Sequence, residues 1–119
     1  MELEGTELIL KSIDSTTSFF TFKIYKKVSN TYSNLLNNSV IHFLNNRALG
    51  EHLSVNFNKN VKFEFIKNEI ILLGEKMAEN YTIEIDVLKN TDSLIFIETY
   101  HYLENIELIA KGTIMALKL

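Results

Sequence analysis

Residues 30 to 50, NTYSNLLNNSVIHFLNNRALG, constrain the fold more than any other stretch. Tyr32, Leu35, Leu36, Val40, Phe43 and Leu44 fall at helical spacing on one face, which predicts one sizeable helix. Asn30 and Thr31 are suited to cap its start, because a short polar side chain accepts a bond from a free first-turn amide. Gly50 is suited to stop it, since glycine takes the left-handed conformation that ends many helices. A second stripe, Asn34, Asn38 and Asn45 with His42 near it, runs beside the apolar one. Asparagine competes for the backbone and is a poor helix former. Five of them, at 34, 37, 38, 45 and 46, therefore predict a helix held by packing. A polar but uncharged stripe suits a helix wrapped by a sheet, where amides find partners and bare charges do not. From Ser15 to Gly50 there is no Asp or Glu, although the chain holds 15 carboxylates.

The flanks read as strands. ELILKSI (7–13) is a short one, followed by a turn at Asp14-Ser15-Thr16-Thr17. SFFTFKIYKKV (18–28) alternates, with Phe20, Phe22 and Ile24 on one face. After the helix, LSVNFNKNVKFEF (53–65) reads as a bent strand or two pieces, and Lys67-Asn68 as a turn. EIILLGEKMA (69–78) is continuously apolar and is expected to be buried on both faces at its start, with Gly74 marking a bulge. Glu79-Asn80 is a turn. YTIEIDVL (81–88) alternates cleanly, 89–92 is a loop, and 93–103 with 106–119 form a last hairpin around Glu104-Asn105. Short turns imply antiparallel neighbours. The expectation is an α+β fold, with one helix on a curved antiparallel meander. Apolar residues on both faces of the last strands, Phe96, Tyr100 and Tyr102 against Ile95, Ile97 and Leu103, exceed what one helix covers. A homodimer accounts for the excess.

At 119 residues, 46% of them apolar, the chain is long enough for a single domain, 1–119, with its own core. Without cysteine it has no disulfide framework, thiolate chemistry or thiolate metal site. No glycine-rich phosphate loop, metal-ligand spacing or nucleophile elbow stands out, so neither a metal nor a cofactor is expected. The net charge of −3 argues against a nucleic-acid binder. No run reaches the roughly 18 apolar residues of a membrane span, and the acidic start does not read as a signal peptide, so a cytoplasmic protein is expected. The 13 asparagines are dispersed and proline is absent, which points to a biased source genome.

This order and spacing resemble the hotdog fold, a long helix wrapped by an antiparallel sheet. VNFNKNVKF is similar to that fold's strand leading out of the helix, KNEIILLGEKM to its turn and long strand, and LIAKGTIMALKL to its last strand. The superfamily includes acyl-CoA thioesterases, dehydratases and non-catalytic acyl-CoA binders. LLNNSVIHF (35–43) resembles the sensor type, a malonyl-CoA-responsive repressor with Asn-Ser on the helix where an enzyme carries Asp or Glu. The match here is Asn38-Ser39. No separate DNA-binding segment precedes the domain, so repression is not expected to carry over. The chain is also similar to small flagella-coregulated hotdog proteins of pathogenic bacteria. Thioesterases of this fold often carry His-Gly-Gly and a carboxylate at the helix, and hydratases an Asp/His pair. VSNTYSNLL (28–36) has neither.

The resemblance implies a ligand site at Asn34, Asn37, Asn38, Ser39 and His42. Asn37, Asn38 and Ser39 at a helix N-terminus suit a thioester carbonyl or an ordered water, and equally suit buried backbone. His42 suits a satisfied core histidine. Glu51-His52, expected just past the helix, is the one adjacent acid/His pair. Glu98, beside Phe96 and Tyr100, suits a buried acid with a raised pKa, and equally a strand edge or an interface partner. Arg47, Lys59 and Lys62 are the cations for CoA phosphates, or a solvated surface. Phe19, Phe20, Phe22, Phe57, Phe63 and Phe65 suit a core or the lining of an acyl slot. Three functions stay open. The first is a homodimer binding an acyl-CoA without turnover, in a regulatory or virulence role. The second is an acyl-CoA thioesterase with its acid outside the helix, with Glu51, Glu64 or Glu98 as candidates. The third is a protein-interaction module with a vestigial pocket.

Overall fold

Period-two patterning and one helical run resolve into seven elements in the computed structural model, which describes residues 6–24, 38–73, 80–104 and 107–119. In chain order they are β1 (Thr6–Ser12), β2 (Thr17–Ile24), α1 (Asn38–Asn56), β3 (Phe63–Leu72), β4 (Asn80–Asn90), β5 (Leu94–Leu103) and β6 (Glu107–Lys118). The strands form one antiparallel sheet in the order β1-β2-β4-β5-β6-β3. α1 lies on its concave face. Val40, Ile41, Leu44, Ala48 and Leu49 pack there against Phe20, Phe22, Ile83, Ile85, Ile95, Ile97 and Ile114. Burying each of the larger side chains contributes about 1.5–3 kcal/mol. β5 shows the rule plainly: Ile95, Ile97, Thr99, His101 and Leu103 are buried and the residues between them half-buried.

The helix departs from expectation at its end. Gly50 does not stop it, and α1 runs on to Asn56 through residues expected to be strand. The last turn places His52 and Leu53 in the core, which offsets the roughly 1 kcal/mol cost of a mid-helix glycine. Asn56 then closes the helix. Its Nδ2 donates to the His52 carbonyl at 2.9 Å and to the Asp14 carbonyl at 3.0 Å. The start expected at Asn30, and the apolar residues Tyr32, Leu35 and Leu36, lie outside the described residues.

Bulges explain the misread strand boundaries. The register shifts at Ile9 in β1, Ile66 in β3 and Leu88 in β4, and all three of these side chains are exposed. An extra residue reverses the alternation beyond it. Lys67-Asn68, expected as a turn, is therefore continuous strand past the Ile66 bulge. β4 likewise continues through Lys89 and Asn90, expected as loop.

β3 is also not the buried strand expected over 69–78. It forms an edge of the sheet beside β6, with Ile71 60% and Leu72 41% exposed. Nor does it neighbour β4, as a simple meander would require. Residues 73–79 join the two, and such a length reaches up to about 25 Å, whereas three strand spacings span about 14 Å. Gly74 and Glu79 lie outside the described residues.

Candidate functional site: a slot between the helix and the edge strand

The helix presents three sides. One flank faces β1 and β2: Arg47 sits 5.8 Å from the centre of the Phe22 ring, and Glu51 pairs with Lys11 at 3.3 Å. The other flank faces β3, where Asn68 Nδ2 donates to Asn46 Oδ1 at 3.1 Å. On that flank a slot of about 110 Å³ opens, lined by Ile41, His42, Ile70 and Leu72. The slot offers polar as well as apolar surface, which suits a small group carrying both.

The third side, underneath, carries a polar chain behind the slot. Asn45 is fully buried. Its Oδ1 accepts from Thr99 Oγ1 at 2.7 Å and from His101 Nε2 at 2.8 Å, while His101 Nδ1 meets the Tyr81 hydroxyl at 2.5 Å. These bonds fix the tautomer. An amide oxygen only accepts, so His101 carries its proton on Nε2 and Tyr81 donates to Nδ1. Reversing the Asn45 amide would leave the Tyr81 and Thr99 protons without acceptors among the described residues. Gly112 makes the close approach possible. A Cβ there would lie 2.1 Å from Thr99 Oγ1 and 3.3 Å from Asn45 Oδ1. The register joins this chain to the slot: Gly112 pairs with Thr99 on one side and with Ile70 on the other, and Ala110 lies likewise between His101 and Leu72.

Burial first, and the charge of His42 second, push the His101 pKa down to about 3. Burial raises that of Tyr81. The chain is therefore neutral at pH 7, and His101 is too weak a base there for general-base work. It holds groups in place.

The sequence-predicted site residues divide accordingly. His42 lines the slot but is exposed, not a satisfied core histidine. Ser39 is exposed on the first turn of α1. Asn34, Asn37 and the Asn38 side chain lie outside the described residues. Arg47 lies on the opposite flank from the slot. Lys59 and Lys62 are exposed in the connection after α1, which begins about 21 Å of helical rise beyond His42. Within one chain these three cations do not gather at the slot. The phenylalanines do not line it either: Phe20 and Phe22 are core, and Phe57 and Phe63 meet edge-on at 5.2 Å.

Two acid readings are corrected. Glu51 and His52 lie inside α1, and they point apart because the first pairs with Lys11 and the second is buried. Glu98 is not a buried acid with a raised pKa. The Tyr100 hydroxyl donates to it and Lys111 Nζ lies 3.3 Å away, which lowers its pKa.

A second buried histidine sits two turns along α1. His52 Nδ1 lies 2.7 Å from Ser18 Oγ, which also bonds the Asp14 amide and carbonyl. Both side chains are fully buried, so this Ser-His pair anchors the β1–β2 turn to the helix and is closed to a substrate.

Asn45, Thr99, His101 and Tyr81 were missed as a site in the sequence. Their one signal was periodic: Thr99 and His101 are polar residues at the inward positions of β5. No group of three or more His, Asp or Glu able to hold a metal occurs among the described residues, and no described helix is long and apolar enough to cross a membrane.

No family model matches the chain, and no curated protein does. Solved structures do. A thioesterase from Haemophilus influenzae aligns over 97% of this chain and 78% of its own, at 10% identity and TM-score 0.78. A thioesterase-family protein from Silicibacter pomeroyi aligns over 97% and 85%, at 13% identity and TM-score 0.77. A Bacillus halodurans protein solved with CoA aligns over 85% of this chain and 66% of its own, at 17% identity and TM-score 0.73. The helix on a six-stranded antiparallel sheet and these likenesses together make this chain a hotdog-fold domain like those of thioesterase-family proteins.

Proposed function

We propose that the protein binds an acyl-CoA or related acyl thioester in the slot, as a homodimer and without turning the ligand over. The observation that carries this is the slot itself, aliphatic with one imidazole and backed by a neutral hydrogen-bonded chain. The same fold in a Bacillus halodurans protein solved with CoA supports the ligand class. The edge strand supports the dimer. β3 is ten residues long and has no strand beyond it among the described residues, with Phe65, Ile66 and Ile71 about half exposed. A long apolar edge invites a second strand, and a second copy would supply it. Such a pairing would put a second chain beside the slot, and with it cations for the CoA phosphates. A cytoplasmic regulatory role, including one tied to virulence, is the role that the sensor-type and flagella-coregulated resemblances imply.

Native mass spectrometry with a panel of acyl-CoAs tests this. The expected spectrum is a dimer retaining one intact acyl-CoA per subunit. Release of free CoA with time would overturn the non-catalytic reading, and a monomeric mass would overturn the dimer. One observation favours turnover instead: the His42 imidazole is exposed at the slot and so is open to a substrate. In that case His42→Ala would abolish the release.

A further inference from the structure

One buried group in the chain behind the slot is unspent. The bonds of Tyr81, His101 and Thr99 use every proton they carry, and those of His101 and Thr99 both end on Asn45 Oδ1. Asn45 Nδ2 is buried and has no hydrogen-bond partner among the described residues. A buried donor left unmade costs about 1–3 kcal/mol, so it persists where something else compensates. The slot is the neighbouring space. Its helix wall is Ile41 and His42, four and three residues before Asn45, and helical side chains lean toward that preceding turn. Its floor includes Ile70, the cross-strand partner of the Gly112 that lies under Asn45.

We infer that Asn45 Nδ2 is the donor for an oxygen on the acyl group, so that the slot selects short oxo- or hydroxyacyl thioesters over saturated ones. The inference rests on the acyl-thioester reading above and adds the class of acyl group. Depth decides which oxygen is meant. CoA is bulky and charged, and it holds the thioester toward the exposed mouth at His42. Asn45 does not itself line the slot, and its buried amide, one helical turn from His42, is the group that an entering acyl end would meet. Thr99 and His101 clamp the Asn45 oxygen, so the amide cannot rotate to offer it. An acyl group that brings an acceptor is therefore favoured over one that brings only methylenes.

Acetoacetyl-CoA and butyryl-CoA share a four-carbon chain and differ in one oxygen at the third carbon. Titration calorimetry of the wild-type protein with each reads the preference directly, without a variant. The expected result is acetoacetyl-CoA binding about tenfold more tightly, the worth of one buried hydrogen bond satisfied rather than lost. Asn45→Ala is expected to bring the two affinities within twofold of each other. Equal affinities in the wild-type protein, or tighter binding of butyryl-CoA, would overturn the inference and leave the acyl-thioester reading standing. Binding of neither would overturn both.

Discussion

The two faces of the sheet carry polar groups on opposite terms. Under the helix, Tyr81, His101, Asn45 and Thr99 are all fully buried and all neutral. On the convex face, Glu84, Asp86, Glu98 and Lys111 are half-buried and mostly charged. β4 and β5 supply most of both sets at alternate positions, with Asn45 added from α1 and Lys111 from β6. Desolvation makes the difference. A charge taken fully from water costs several kcal/mol even after relaxation, whereas an amide or imidazole can be compensated by one or two hydrogen bonds. On the convex face water still screens each group, so ion pairs such as Glu98–Lys111 survive at little net gain. Side chains beside the slot are thus held by geometry that a small change breaks, and those on the outer face are not.

Gly112→Ala tests that contrast most severely. The added Cβ meets Thr99 Oγ1 at 2.1 Å, and Thr99 is held by Asn45. A loss of about 3 kcal/mol in urea unfolding is expected, against less than about 1 kcal/mol for Thr113→Ala next to it on the convex face. Equal losses would show that the two faces are packed alike.

Acid should separate the faces next. The folded pKa of His101 is about 3 against 6.5 unfolded, so between those values the unfolded chain binds the extra proton. Stability is then lost as pH falls below about 6.5, by up to about 1.4 kcal/mol per pH unit. Glu84 acts in the opposite sense. Its hydrogen bond with Asp86, then burial, then the Asp86 charge raise it to about 7. The folded chain therefore binds the extra proton between about 4.5 and 7, and stability rises slightly as pH falls through that window, the effect being reduced by solvent screening. Urea unfolding from pH 7 to pH 4 is expected to show a net loss, made steeper above pH 4.5 by Glu84→Gln. A histidine ring signal for His101 that titrates near pH 6.5 would refute the neutral chain.

The smallest contrast is between two tyrosines. Tyr81→Phe leaves His101 Nδ1 without its donor inside the core and is expected to cost about 1–2 kcal/mol. Tyr100→Phe removes the hydroxyl bonded to Glu98 on the wet face and is expected to cost under about 0.5 kcal/mol, with the Glu98 pKa moving back up. Thermal melts of both variants decide it.

Much of this architecture was legible in the residues. Strict alternation in Tyr81, Ile83 and Ile85 reported a strand with one face buried, and all three are core. The run Val40, Phe43, Leu44 reported the helix, and all three pack in or against the core. Boundaries were lost where a local signal met a tertiary one. Gly50 looked like a stop until the burial of His52 and Leu53 carried the helix past it. The strand looked finished at Phe65 because the bulge at Ile66 reverses the alternation beyond it. For the site, His42 was placed correctly on the helix and wrongly in the core. Asn45 was visible only as an unfavourable helix residue, with nothing local to name its partners.

The sequence by itself determined the helix with its uncharged polar stripe and the apolar periods of the strands, because propensity and side-chain period are properties of neighbouring residues. The tertiary structure decided which polar residues meet. Asn45 reaches Thr99 and His101 across more than fifty residues, over a glycine whose missing side chain sets the helix-to-sheet distance. Sheet order and register fix that meeting, and no short-range pattern encodes either.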